Sequence, residues 1–305
     1  MKYLKKCALM ALAVLLPFAA WLSLLIALPD HLGNTIAATI RYKIDLLQDT
    51  PAPRIIFAGG SSSPYGTVCQ TVADELGVNA ICVGATAYLG IPYYLQMLDQ
   101  YAQPGDVLVL APEHSLLRGE SINYELVWEA VGQDADAWRC VPLPYLPGLF
   151  CSSAAYFGLK QERLNLPDPG PNPDFGPLGD VTAPRTALLE RGYNADDPIE
   201  LTAAGVYEKN LTRINRFAAR QQARGVTVLF AFAPTDRLAI TSAPADIAAF
   251  EKTVTDGLDI PVILGLNTTL MDGRYFYDSN NHLTSEGAAI NTQNLIAGLR
   301  GYGGF

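Results

Sequence analysis

Histidine is nearly missing from this chain. Only three occur in 305 residues, so any chemistry that needs an imidazole falls on His31, His114 or His282. Charge is scarce too: charged residues make up 17% of the sequence, against roughly 25% in soluble domains. What charge there is leans acidic, 30 Asp and Glu against 21 Lys and Arg. The shortage of basic charge excludes a basic nucleic-acid binder, and an apolar fraction of 50% excludes intrinsic disorder. No internal repeat is present. No Gly-Lys-Ser/Thr completes a phosphate loop, no G-x-G-x-x-G marks a dinucleotide fold, and no Cys/His cluster has zinc spacing. No metal or other cofactor is expected.

The apolar residues are concentrated at the start. Residues 7–28 (CALMALAVLLPFAAWLSLLIAL) form 22 consecutive positions without a charge, enough helix at 1.5 Å per residue to cross a hydrocarbon core of about 30 Å. Lys2, Lys5 and Lys6 precede this run and no acid occurs before Asp30. Flanking positive charge stays cytoplasmic, so the expectation is a cytoplasmic tail (1–6), a membrane anchor (7–28) and an exported remainder. A cleaved signal peptide shares the charged start but has a shorter apolar region, of about 7–15 residues. Without the anchor and its lysines the chain keeps 18 basic and 30 acidic residues, which argues against bulk attraction to anionic lipid or nucleic acid.

Residues 29–53 read as a connector with one helix through NTIAATIRYKIDLLQ, and residues 54–305 as one domain. Short apolar runs at Arg54–Gly60, Asn79–Val83, Asp106–Ala111, Val226–Phe232 and Ile260–Leu264 have the pattern of buried parallel strands. Helical segments separate them, at Val68–Leu76, Tyr88–Tyr101, Thr202–Arg224 and Ala245–Gly257, with a last helix from Thr284. That alternation predicts a three-layer α/β/α fold around a mainly parallel sheet of flavodoxin-like topology. Between about 115 and 200 the sequence is rich in Pro, Gly, Asp and aromatics. The expectation there is an irregular insertion that builds a binding surface or lid. Cys140 and Cys151 lie inside it at a spacing that permits a disulfide in an exported compartment.

In parallel sheets, functional residues gather at the carboxyl ends of the strands. Three such places carry chemistry. Gly59-Gly60-Ser61-Ser62-Ser63 follows the first strand, where a serine hydroxyl can be exposed beside backbone N–H groups. Gly84 follows the second and permits close approach of backbone to a ligand. Asp278 precedes His282 by four residues ahead of the last helix, a spacing that lets a carboxylate hold an imidazole. Each piece alone also reads as an ordinary turn or a solvated loop. After the third strand, Glu113 and His114 join Gly60 and Ser62 as candidate pocket residues.

Taken together, this order resembles the SGNH (GDSL-like) hydrolase superfamily, from about Arg54 to Leu299. Gly59–Ser61 corresponds to the first block, Gly84 to the second-block glycine, and Asp278, His282, Leu283 and Gly287 to the last block. The resemblance implies a Ser61 nucleophile, a His282 base oriented by Asp278, and oxyanion donors from the backbone N–H groups of Ser61 and Gly84. Two departures stand out: Gly60 replaces the usual Asp, and Glu113 and His114 follow strand three where the family has an Asn. One anchor plus an exported domain is similar to envelope-modifying members that work beside a multispanning O-acyltransferase. The implied function is acyl-ester hydrolysis or O-acyl transfer on an envelope polysaccharide, from the outer face of the cytoplasmic membrane. The departures leave open a catalytically weak accessory protein, and a phosphate binder using the serine loop would leave Asp278 and His282 unexplained.

Overall fold

The computed structural model describes residues 2–29, 31–119 and 122–303. The chain opens with α1 (Lys2–Ala27), a single 26-residue helix, and α2 (Thr39–Asp49) in the connector. Among the described residues no helix is long and apolar enough to cross a membrane.

The domain then alternates as expected. β1 (Arg54–Gly59), α3 (Ser62–Gly66), α4 (Cys69–Leu76), β2 (Asn79–Cys82), α5 (Gly90–Tyr101) and β3 (Val107–Ala111) come first. After a helical excursion, α6 (His114–Arg118), α7 (Tyr124–Val131), α8 (Ala135–Arg139) and α9 (Leu146–Arg163), the alternation resumes. It continues through α10 (Glu208–Gln222), β4 (Thr227–Ala231), β5 (Thr235–Asp236), α11 (Pro244–Asp256), β6 (Val262–Leu264), α12 (Leu266–Thr269), β7 (Leu270–Met271) and α13 (Ser285–Tyr302).

Five strands form one parallel sheet in the order β2-β1-β3-β4-β6. β1 is buried along its whole length, which is why it reads as a continuous apolar run rather than an alternating one. Its side chains alternate between two cores. Ile56 and Ala58 face a core built with α2, α5 and α10, while Ile55 and Phe57 face a second core with α4 and α13. Helices on both faces give an α/β architecture compatible with three layers. The chain reverses its direction of travel across the sheet between β1 and β3, and a crevice opens at the carboxyl ends of the strands at such a switch point. The amino-terminal ends are closed instead by a buried ion pair, Arg54 with Asp106 at 3.2 Å, both fully buried. Arg54 also donates to the carbonyls of Leu47, Thr50 and Tyr101.

Two expectations for the 115–200 segment need correction. Its first half is helical: α6 to α9 occupy most of residues 114–163, and only the Pro-rich remainder is irregular. Apolar residues of α9 meet both the domain and α1, so they form no single stripe that a helical periodicity would show. Ring contacts pair Phe18 with Phe150 and Trp21 with Phe157, both at 4.9 Å. Cys140 and Cys151 are both free thiols. The Cys140 Sγ is buried and donates to the Asp136 carbonyl, while Cys151 is exposed on α9.

The end of α1 is joined directly to the domain. Lys160, almost completely buried, donates to the carbonyls of Leu25 and Leu28 at 2.6 Å each. A lysine in that position satisfies the orphan carbonyls at the end of α1 and complements its dipole.

Candidate active site

Ser61 sits in the tight turn between β1 and α3, with ordinary right-handed helical backbone angles (φ −67°, ψ −25°). The turn is glycine-dependent at two points. A Cβ at Gly59 would lie 2.3 Å from the Ala111 carbonyl oxygen on β3, and one at Gly84 would lie 2.7 Å from the Gly60 carbonyl oxygen. The end of β1 and the turn after β2 therefore pack backbone against backbone.

On the far side of the sequence, Phe276 and Leu283 form an antiparallel bridge and are both fully buried. The Tyr277 N–H donates to the His282 carbonyl at 2.8 Å. This closes the loop that carries Asp278 and His282, and fixes both side chains on one side of it. The last helix starts immediately afterwards, with Thr284 Oγ1 accepting from the Gly287 N–H at 3.1 Å as an N-cap.

Those two segments, 221 residues apart in sequence, converge. His282 Nδ1 is 2.7 Å from Asp278 Oδ1, and His282 Nε2 is 2.7 Å from Ser61 Oγ. With the carboxylate accepting from Nδ1–H, Nε2 is left free to accept the serine proton. The imidazole is clamped from the side by Tyr65, stacked at 3.9 Å with an interplanar angle of 10°. Arg185 lies 5.4 Å from the Tyr65 ring; its guanidinium donates to the carbonyls of Leu283, Val181 and Ala183.

Among the described residues, the backbone N–H of Ser61 has no hydrogen-bond partner, which leaves it available to a ligand oxygen, while the Gly84 N–H is directed at the buried Cys82 thiol. The Ser62 N–H is taken: it donates to Glu113 Oε1 at 2.7 Å, and the same oxygen lies 3.2 Å from Ser61 Oγ. Glu113 is only 4% exposed. A Cβ at Gly60 would lie 2.5 Å from Glu113 Oε1, so a glycine at position 60 makes room for the Glu113 carboxylate. The Ser62 and Ser63 hydroxyls are buried without partners. His114, at the start of α6, has an unpartnered, buried Nδ1. Burial, helped by the charge of Arg118, pushes its pKa down to about 4 and keeps the ring neutral.

Ser61, Glu113, His114 and His282 line a common cleft of about 420 Å³, with Thr86, Tyr88 and Asp197 among its other walls. A larger cavity of about 610 Å³ lies between α2 and the Pro-rich loop and shares no residue with the cleft. Among the described residues, no group of three or more His, Cys, Asp or Glu is arranged to hold a metal ion.

The structure thus assembles every sequence-predicted site residue except the cysteine pair. Lys43, Tyr65, Arg185 and Asn280 escaped the sequence reading. Lys43 is a lone cation on the buried stripe of α2, between Ile40 and Ile44, and its ammonium donates to the Gly84 carbonyl. That interruption of an apolar stripe was a visible signal. Asn280 is fully buried and latches the Asp278–His282 loop to the irregular segment, donating to the carbonyls of Asn194 and Asp197 at 3.1 and 2.7 Å. Comparison with known proteins finds no matching family profile and no matching curated relative.

Proposed function

We propose that the chain is a serine acyl-ester hydrolase or O-acyltransferase of SGNH type, working through Ser61, His282 and Asp278. One observation carries this reading: a continuous Asp278–His282–Ser61 hydrogen-bond chain, 2.7 Å at each link, opening into a cleft. Ser61 Oγ forms a bond to the ester carbonyl carbon as its proton passes to His282 Nε2. Asp278 stabilises the imidazolium through Nδ1–H, and the Ser61 N–H receives the oxyanion. Collapse breaks the bond to the leaving alcohol, which takes the proton from His282. Water or an acceptor hydroxyl then gives its proton to His282 and attacks the acyl-Ser61 carbonyl. The acyl group departs on that oxygen, and Ser61 recovers its proton.

The proposal extends to location and substrate. Residues 7–28 anchor the chain in the cytoplasmic membrane, a reading that rests on the uncharged run and the lysines ahead of it. The domain then works outside that membrane on an envelope polysaccharide, with a multispanning O-acyltransferase as the natural source of acyl groups. A non-catalytic accessory role is the second reading, favoured by the Glu113 carboxylate that occupies the Ser62 N–H.

A fluorophosphonate probe and an acyl-ester assay on the full chain separate the two. The catalytic reading expects labelling at Ser61, and loss of turnover by about 10⁴-fold or more in Ser61→Ala and in His282→Ala, with the circular dichroism spectrum preserved. An unlabelled Ser61, or a Ser61→Ala protein that turns over esters at the native rate, rules it out.

A further inference from the structure

Glu113 is an awkward neighbour for a serine nucleophile. Its carboxylate lies 3.2 Å from Ser61 Oγ and is 4% exposed, so water screens it poorly. Negative charge that develops on a substrate oxygen beside Ser61 is repelled by a carboxylate at that distance. The Ser61 hydroxyl has one proton and two acceptors in reach, His282 Nε2 and Glu113 Oε1, so a charged Glu113 also competes for the proton that His282 must take.

Among the described residues, no fixed positive side-chain charge in the cleft offsets this one: no lysine or arginine lines it, and Asp197 adds a second acid to its wall. His114, next in sequence, stays neutral because burial holds its pKa near 4. The neighbouring cations are engaged elsewhere. Lys43 donates to the Gly84 carbonyl, Arg185 to the carbonyls of Leu283, Val181 and Ala183, and Arg118 lies 3.7 Å from Glu200. The carboxylate is nevertheless built in. Gly60 vacates the space it needs, and the Ser62 N–H fixes one of its oxygens. Two further groups point to a ligand that also brings hydrogen-bonding atoms: the free N–H of Ser61, and the buried, unpartnered Nδ1 of His114 on the same wall.

We propose that the Glu113 carboxylate recognises a positively charged amine on the substrate, so that Ser61 acts on esters bearing an ammonium group close to the ester carbonyl. This rests on the reading of Ser61 as an acyl-accepting nucleophile and names its substrate class. A cation seated against Glu113 neutralises the carboxylate at the moment an oxyanion forms beside it, and leaves the Ser61 proton to His282. A neutral ester brings no such compensation and reacts slowly. The ammonium group sits on either the acyl side of the ester, as in an aminoacyl group, or the alcohol side.

Two isosteric pairs distinguish these sources: glycine phenyl ester against phenyl propionate, and acetylcholine against 3,3-dimethylbutyl acetate. With the full chain in detergent, at a pH where the amines are protonated, kcat/KM for one cationic ester should exceed that of its neutral partner by at least tenfold. Glu113→Gln should collapse that ratio toward one. Methylammonium ion should compete with the preferred ester in the unaltered protein, which tests the site even if the variant does not fold. Equal or lower kcat/KM for both cationic esters, or a preference that survives Glu113→Gln, overturns the inference while leaving the nucleophile reading intact. No turnover of any of the four esters, together with an unlabelled Ser61, defeats both.

Discussion

At the scale of single residues, the site is held by side chains with no role in bond making. Lys43 is the clearest case. Burial lowers its pKa from the ordinary 10.5 to about 8, because a charged ammonium loses its water in the core. Between about pH 8 and 10.5 the unfolded chain therefore holds a proton that the folded chain has lost. Stability from this group rises with pH through that window, and the full burial penalty applies below it. Lys43→Met should remove the rise. The difference in unfolding free energy between the parent and this variant, followed by denaturant titration, should move in favour of the parent from pH 8 to 10.5. A pH-independent difference would show that the buried lysine is not titrating. Asn280 makes a different contribution, joining the Asp278–His282 loop to residues 194–197 through both ends of its amide. Asn280→Ala leaves at least one backbone partner unsatisfied, at a cost of about 1–3 kcal/mol. Tm should fall, and ester turnover should fall with it as the histidine loop loosens.

At the scale of elements, the strands were the most legible part of the sequence. Buried parallel strands need apolar residues on both faces, and β1, β2, β3 and β4 all lie within runs that show it. Helix boundaries were less legible. The helix expected from Thr202 starts at Glu208, because Thr202 instead introduces a single 3-10 turn at Ala203–Gly205. The Asp278–His282 pair was readable because its geometry is local, two side chains four positions apart in one loop. Glu113 was readable as a position, at the end of β3, but its contact with Ser62 was not, since it depends on how closely two neighbouring strand ends approach. Tyr65 and Arg185 lie far from His282 in sequence and carried no motif. The cysteine expectation failed because spacing fixes only loop length. In the helices that flank the 140–151 segment, one thiol points into the core and the other outward. A bulky maleimide should accordingly modify two thiols of the native chain in detergent, Cys7 and Cys151, and all five after denaturation. Modification of Cys140 in the native state, or a cystine linking it to Cys151 on mass spectrometry, would contradict the arrangement.

At the scale of the whole molecule, the amino-terminal helix and the α/β domain share a core. Leu25 and Leu32 are fully buried in the same apolar cluster as Ile56 of β1, Trp21 Nε1 donates to Ser153 Oγ at 3.0 Å, and Lys160 closes the carbonyl end of α1. Lys160→Met removes the donor and strands the Leu25 carbonyl, while Leu28 keeps Gln133; the change should cost about 1–3 kcal/mol. Limited proteolysis between α1 and α2 should become faster in that variant, with Ser61 labelling unchanged. Equal cleavage rates would mean that the aromatic contacts and the Trp21 and Gln133 hydrogen bonds hold the helix without Lys160.

The Lys160 weld sets the working range of the serine. A catalytic domain on a flexible tether sweeps a volume set by the length of its linker and can search for its acceptor. Here the chain between α1 and α2 is pinned at both ends, by Lys160 and Gln133 on the carbonyls of α1 and by Arg41 on the carbonyls of Glu129 and Ala130. Ser61 therefore stays at a nearly constant height and heading relative to α1. With α1 fixed in a bilayer, the mouth of the cleft would address one layer above it, and whatever binds beside Ser61 would have to reach that layer.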